Sequence, residues 1–133
     1  MQNAECRMQN AKWGEAVKEN QALDMSFEFA VRIVNLYKYL TGDCKEYVMS
    51  KQLLRCGTSI GANVAEAQRG QTKADFYAKM CIALKEANET QYWLKLLYRT
   101  EYLSGPQFDS IHADSVQLLG LLTAICKTTE TRK

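Results

Sequence analysis

The chain has 133 residues, 47% apolar and 24% charged, with a formal net charge of +2, a balance that fits one globular domain with a real core. One Pro and seven Gly supply too few turn residues for an all-β protein. No apolar run approaches the ~18 residues of a membrane-spanning helix, and no apolar h-region opens the chain, so an all-α, cytoplasmic protein is predicted.

Residues 1–23 read as a polar N-terminal tail, disordered or translated from a start upstream of the true one. Its seven-residue near-repeat, Met1 to Arg7 and then Met8 to Gly14, has no Leu, Ile or Val with which to build a coiled-coil seam. The first predicted helix runs from about Asp24 to Leu40, with Asp24 or Ser26 as its N-cap. Phe27, Phe29, Ala30, Val31, Ile33, Val34, Leu36, Tyr37 and Leu40 cover more than half its circumference, so it needs partners on two sides. Gly42, free to adopt the left-handed conformation, ends it.

The second helix spans about Glu46 to Gln68, with an apolar stripe of Leu53, Cys56, Ile60, Val64 and Ala67. Beside it lie Gly57, Gly61 and Ala65, four apart. An internal Gly costs ~1 kcal/mol against Ala, so the row predicts close approach of another helix. The third helix opens on Thr72, three residues before Asp75, and runs to about Tyr102. Its main stripe is Phe76, Met80, Ala83, Ala87, Leu94 and Leu97, and two further stripes give it more apolar surface than one partner covers. The fourth starts on a capping box, Ser104 with Gln107, with Pro106 in its first turn. Phe108, Ile111, Ser115, Leu118, Leu119, Leu122, Ile125 and Cys126 form one stripe. Four helices and short loops predict an antiparallel up-down-up-down four-helix bundle over 24–128, followed by a polar C-terminal tail over 129–133.

Residues suited to chemistry are sparse. The five cysteines are widely spaced with no CxxC pair, and Cys56, Cys81 and Cys126 fall on apolar faces where a reduced thiol acts as a small hydrophobe. The one histidine, His112, has Asp109 beside it but no clustered ligands. A di-iron bundle needs Glu-x-x-His on two helices, and this chain has none. No catalytic site, metal or cofactor is therefore expected.

The informative polar residues lie on the hairpin of the second and third helices. A turn near Gly70 makes facing positions sum to about 141, which sets Arg55 opposite Glu86 and Gln52 opposite Glu89. Arg55, Ser59, Asn63 and Glu66 share one face, and with Glu86 and Glu89 they read as a structural polar network that fixes register. A ligand or partner site is the alternative. The segment Lys45 to Arg99 carries nine Lys or Arg against five Asp or Glu, with Tyr77, Tyr92, Tyr98 and Tyr102 interleaved. Lys51, Arg55, Arg69, Lys73, Lys79 and Lys85 are thus candidate nucleic-acid contacts.

The run Gln52 to Ala67, with Ser59-Ile60, Asn63 and Ala65-Glu66 at its centre, is followed by Asp75-Phe76, by Ile82 to Thr90 with Glu86 and Glu89, and by Trp93-Leu94. Over about Asp24 to Lys127 this pattern closely resembles the bacterial 23S rRNA intervening-sequence proteins. The resemblance implies a bundle assembling into a ring-like homopentamer. A related branch, the accessory proteins of diversity-generating retroelements, binds nucleic acid together with a reverse transcriptase. For this chain the resemblance implies a non-enzymatic oligomer whose partners are itself, RNA or DNA and a reverse transcriptase, with no membrane role. An oligomeric protein-binding scaffold is the alternative.

Since the first 20 residues offer no periodic apolar face, deleting Met1 to Asn20 is expected to leave the thermal midpoint nearly unchanged. A thermal melt of the truncated chain checks this, and a failure to fold would make the segment structural.

Overall fold

The computed structural model describes the backbone over residues 4–130 and the side chains from residue 16 onward. Four helices follow in order: α1 (Ala4–Gly42), α2 (Met49–Ala67), α3 (Lys73–Arg99) and α4 (Gly105–Glu130). Among the described residues there is no strand, and no helix is long and apolar enough to cross a membrane. α1 packs on α2 and α4, and α3 packs on the same two, while the backbones of the diagonal pairs, α1 with α3 and α2 with α4, lie further apart.

α1 begins at Ala4, some twenty residues before the apolar pattern would start it. Ala, Glu, Gln and Lys are good helix formers, no Pro interrupts them, and extending an existing helix is far easier than nucleating one. The first buried side chain among those described is Ala22, so the core begins slightly ahead of the predicted boundary at residue 24. The near-repeat of Met1 to Gly14 lies outside the described side chains. At the other end, α4 runs on to Glu130, and the Thr128 and Thr129 hydroxyls donate back to the Ala124 and Ile125 carbonyls at 3.0 and 2.8 Å. The predicted tail at 129–133 therefore starts inside the helix, and its residues 131–133 lie outside the described ones.

The predicted stripes meet in one core. Leu53, Cys56, Ile60, Val64 and Ala67 of α2 are all buried, as are Met80, Ala83, Ala87, Leu94 and Leu97 of α3. α4 contributes Ile111, Leu118, Leu122, Ile125 and Cys126. α1 supplies Phe29, Ile33 and Leu40, but it leaves Phe27 65% and Val31 42% exposed, one turn apart.

The glycines of α2 serve the contact with α1. A Cβ at Gly57 would stand 2.8 Å from two carbons of the buried Ile33, and one at Gly61 would stand 3.2 Å from the Ser26 carbonyl oxygen. Ala65 does not continue the row. It is exposed, so its small size is not required by packing within the chain.

Helix ends follow local side-chain chemistry. The Thr72 hydroxyl accepts from the Asp75 amide at 3.0 Å. Ser104 and Gln107 cap reciprocally: the Ser104 amide donates to Gln107 Oε1 at 2.8 Å and the Gln107 amide to Ser104 Oγ at 3.3 Å. Gly42 does not take the left-handed conformation predicted for it; Lys45, at φ 56°, does. The chain leaves α1 gradually, with the Asp43 and Cys44 amides donating to the Tyr39 carbonyl and the Glu46 amide to that of Leu40.

α2 starts at Met49 rather than Glu46, because the Glu46 side chain caps it. Oε1 accepts from the amides of Val48 and Met49 at 3.1 and 3.0 Å, and Oε2 from that of Ser50 at 2.7 Å. The Ser50 hydroxyl donates to the Glu46 carbonyl at 2.7 Å. Burial pushes the Glu46 carboxyl up, but its hydrogen bonds with Ser50, Met49 and Val48 outweigh that and leave it below its ordinary value. A lowered folded value means the stabilisation is complete above the unfolded value near 4.5 and is lost as pH falls through the folded one. Glu46→Ala is expected to cost ~1–2 kcal/mol at neutral pH. Urea unfolding at a series of pH values should show the gap between wild type and variant closing in acid; a gap constant down to pH 3 would contradict the capping role.

Candidate functional site

The Arg55 guanidinium is the centre of the α2–α3 polar face. Nη1 stands 3.5 Å from Glu86 Oε2, Nη2 bonds Glu89 Oε2, and Nε donates to Gln52 Oε1 at 3.2 Å. Glu89 Oε2 also accepts from the Trp93 indole at 3.0 Å. One turn of helix separates Glu86 from Glu89, so both carboxylates rise toward the same cation. Gln52, assigned by register to Glu89, instead orients Arg55 from its own helix.

The six residues expected to form one network fall into three groups. Arg55, Glu86 and Glu89 make the first. Asn63 donates from Nδ2 to the Ser59 carbonyl at 2.9 Å and to Ser59 Oγ at 3.0 Å, a contact within α2. Glu66 pairs with Lys79 at 2.8 Å. Among the described residues no hydrogen bond joins these groups, because Ser59 and Asn63 satisfy each other one turn apart.

The Arg55 side chain is 50% exposed and that of Glu86 18%, so the pair is open to water on the arginine's side, which decides its energetic weight. A buried pair would cost ~3 kcal/mol when broken, whereas a pair this wet is worth under ~1 kcal/mol.

The candidate cations of α3 do not gather. Lys73, Lys79 and Lys85 are spaced by six residues on α3, which turns each by about 120° from the last at 3.6 residues per turn. Lys51, Arg69 and Lys85 are exposed, Lys79 is engaged by Glu66, and Arg55 faces two carboxylates. Lys73, also exposed, lines a cavity of about 280 Å³ with Lys18, Thr72, Phe76 and Ile125. Glu19 lines the same cavity, and burial pushes its carboxyl up.

Sequence reasoning missed the clamp between α1 and α4. Arg32 bonds the Asp114 carboxylate from Nη1 and the Ser110 hydroxyl from Nη2 at 2.9 Å. The signal was a lone arginine among the apolar residues of α1, but helices far apart in sequence give no register with which to find its partner. His112 stacks on Phe108, with centroids 4.7 Å apart, and Phe108 stacks on Tyr98 at 4.6 Å. Among the described residues no group of three His, Cys, Asp or Glu is placed to hold a metal.

Fold and surface together define an all-α, four-helix protein with a charged α2–α3 face and apolar side chains left outside the core. The 23S rRNA-intervening sequence protein model matches residues 18–124, and the chain belongs to that family. A solved protein of unknown function from the S23 ribosomal protein family of Bacteroides thetaiotaomicron is similar at 60% identity with a TM-score of 0.81. That likeness covers 83% of this chain and 98% of the other. No curated protein matches.

The exposure of Arg55 sets the result of a double-mutant cycle. Arg55→Met with Glu86→Leu is expected to show a coupling below ~1 kcal/mol that shrinks as salt rises. Chemical denaturation of the four proteins at two salt concentrations measures it; a salt-independent coupling near 3 kcal/mol would mean the pair is buried in solution.

Proposed function

We propose that the protein is a non-enzymatic homo-oligomer, a ring of antiparallel up-down-up-down four-helix bundles that acts in the cytoplasm as a binding accessory. The observation that carries this reading is the pair Phe27 and Val31, exposed on α1 outside a core that is already complete. Ile82 on α3 is likewise 41% exposed. Apolar side chains aligned along a helix mark an interaction surface, and a further copy of the chain is the partner always present. The antiparallel course of α2 and α3 is supported by Arg55 reaching Glu86 and Glu89 while Glu66, further along α2, reaches back to Lys79. Five subunits is the number that the family resemblance implies.

RNA or DNA is the ligand proposed for the assembly, with a reverse transcriptase as the accompanying protein. The support is the family and the excess of cations between Lys45 and Arg99. The divergence of the α3 lysines favours a second reading, a scaffold that binds only protein.

Sedimentation equilibrium is expected to give a species near five times the 15.2 kDa chain mass, and Phe27→Asp should shift it toward the monomer. A folded, wild-type monomer at micromolar concentration would remove the oligomer reading. Fluorescence anisotropy with a labelled RNA should show affinity falling steeply as salt rises. Absence of binding at low salt would leave the protein scaffold.

A further inference from the structure

We infer that Cys81 of α3 and Cys126 of α4 form a thiol modification site, closed to an intramolecular disulfide by a small-molecule disulfide such as glutathione disulfide.

The register of α3 on α4 brings the two together. Tyr98, near the end of α3, stacks on Phe108, near the start of α4, with planes 12° apart. Seventeen residues back along α3 from Tyr98 is Cys81, and eighteen forward along α4 from Phe108 is Cys126. At 1.5 Å rise per residue these are climbs of about 26 and 27 Å, so the two sulfurs arrive at one level. There the two thiols are neighbours, with the Tyr77 hydroxyl, one turn from Cys81, beside the Cys81 sulfur. Both thiols are free.

Their exposure assigns the order of events. Cys81 is partly open to solvent, whereas Cys126 is buried among the core residues. Burial, with Cys81 as neighbour, pushes the Cys126 thiol up to about 12, which makes it a poor first nucleophile toward anything in solution. Cys81 therefore attacks first. Its thiolate displaces one glutathione thiolate, breaking the oxidant's S–S bond and forming a mixed disulfide. The Cys126 sulfur, at the same level on the neighbouring helix, then attacks the Cys81 sulfur and releases the second glutathione. The two protons leave the protein thiols and end on the two glutathiones; the protein loses two electrons and the oxidant gains them. The product ties α3 to α4 far from their connecting loop.

The full-length chain incubated with glutathione disulfide, alkylated, and digested with trypsin without reduction provides the test. The expected product is a covalent link between the peptides 80–85 and 100–127, each of which carries one cysteine. Dithiothreitol followed by a second alkylation should return both as separate alkylated peptides. Cys126→Ser should retain glutathione on Cys81, while Cys81→Ser should leave Cys126 unmodified in the folded protein, with folding checked by circular dichroism. Three outcomes would overturn the proposal: a lasting glutathione adduct on wild-type Cys81, a link between two chains, or undiminished modification of Cys126 in Cys81→Ser.

Discussion

The approach of α1 to α2 is the constraint from which most of the structure follows. Gly57 and Gly61 leave no room for a side chain where Ile33 and the Ser26 backbone meet α2. Two internal glycines cost the isolated helix ~2 kcal/mol relative to alanine, so the contact they permit must return more than that. Full burial of Ile33 is worth ~2–3 kcal/mol on its own. With the rotation of α1 fixed in this way, Phe29, Ile33 and Leu40 are committed to the core. Phe27 and Val31 are then committed to the outside, and the apolar surplus that the sequence shows on two sides of this helix becomes an exposed surface.

Magnitudes separate the polar contacts by role. The Arg55 cluster is the most conspicuous, yet ion pairs built on a half-exposed arginine contribute little. Glu46 is quiet by comparison, a carboxylate in a connecting segment. It satisfies three amides at the start of α2 and is itself buried, so its loss would leave those donors without acceptors. Stability therefore rests more on the cap than on the charged face. The charged face is correspondingly free to serve recognition, since substitutions there cost the fold little.

Features set within one helix were legible in the sequence: the stripes of α2, α3 and α4, the Thr72 cap and the Ser104–Gln107 box. Arg55 opposite Glu86 was also legible, because a short turn gives adjacent helices a register. What escaped depended on something beyond the local pattern. Glu46 caps from two residues outside the usual N-cap position, Lys45 takes the left-handed turn expected of Gly42, and Arg32 reaches Asp114 across 82 positions. The extension of α1 to Ala4 escaped for a different reason. Periodicity detects burial, and a helix continued on propensity alone leaves no apolar pattern to read.

The scattering of the cations has a consequence for the proposed ring. A single protomer carries net charge +2, with two of its candidate cations already held by carboxylates, so it presents no strong field to a phosphate backbone. Rotational symmetry changes the terms of the problem, since each exposed lysine recurs once per subunit at a fixed spacing. A contact too weak to hold an RNA alone becomes effective when a flexible strand meets several copies, because each later contact is made at high effective concentration. In that arrangement the apolar residues of α1 would build the ring and dispersed lysines would suffice to bind. Clustering within the protomer is needed only if the protein works as a monomer.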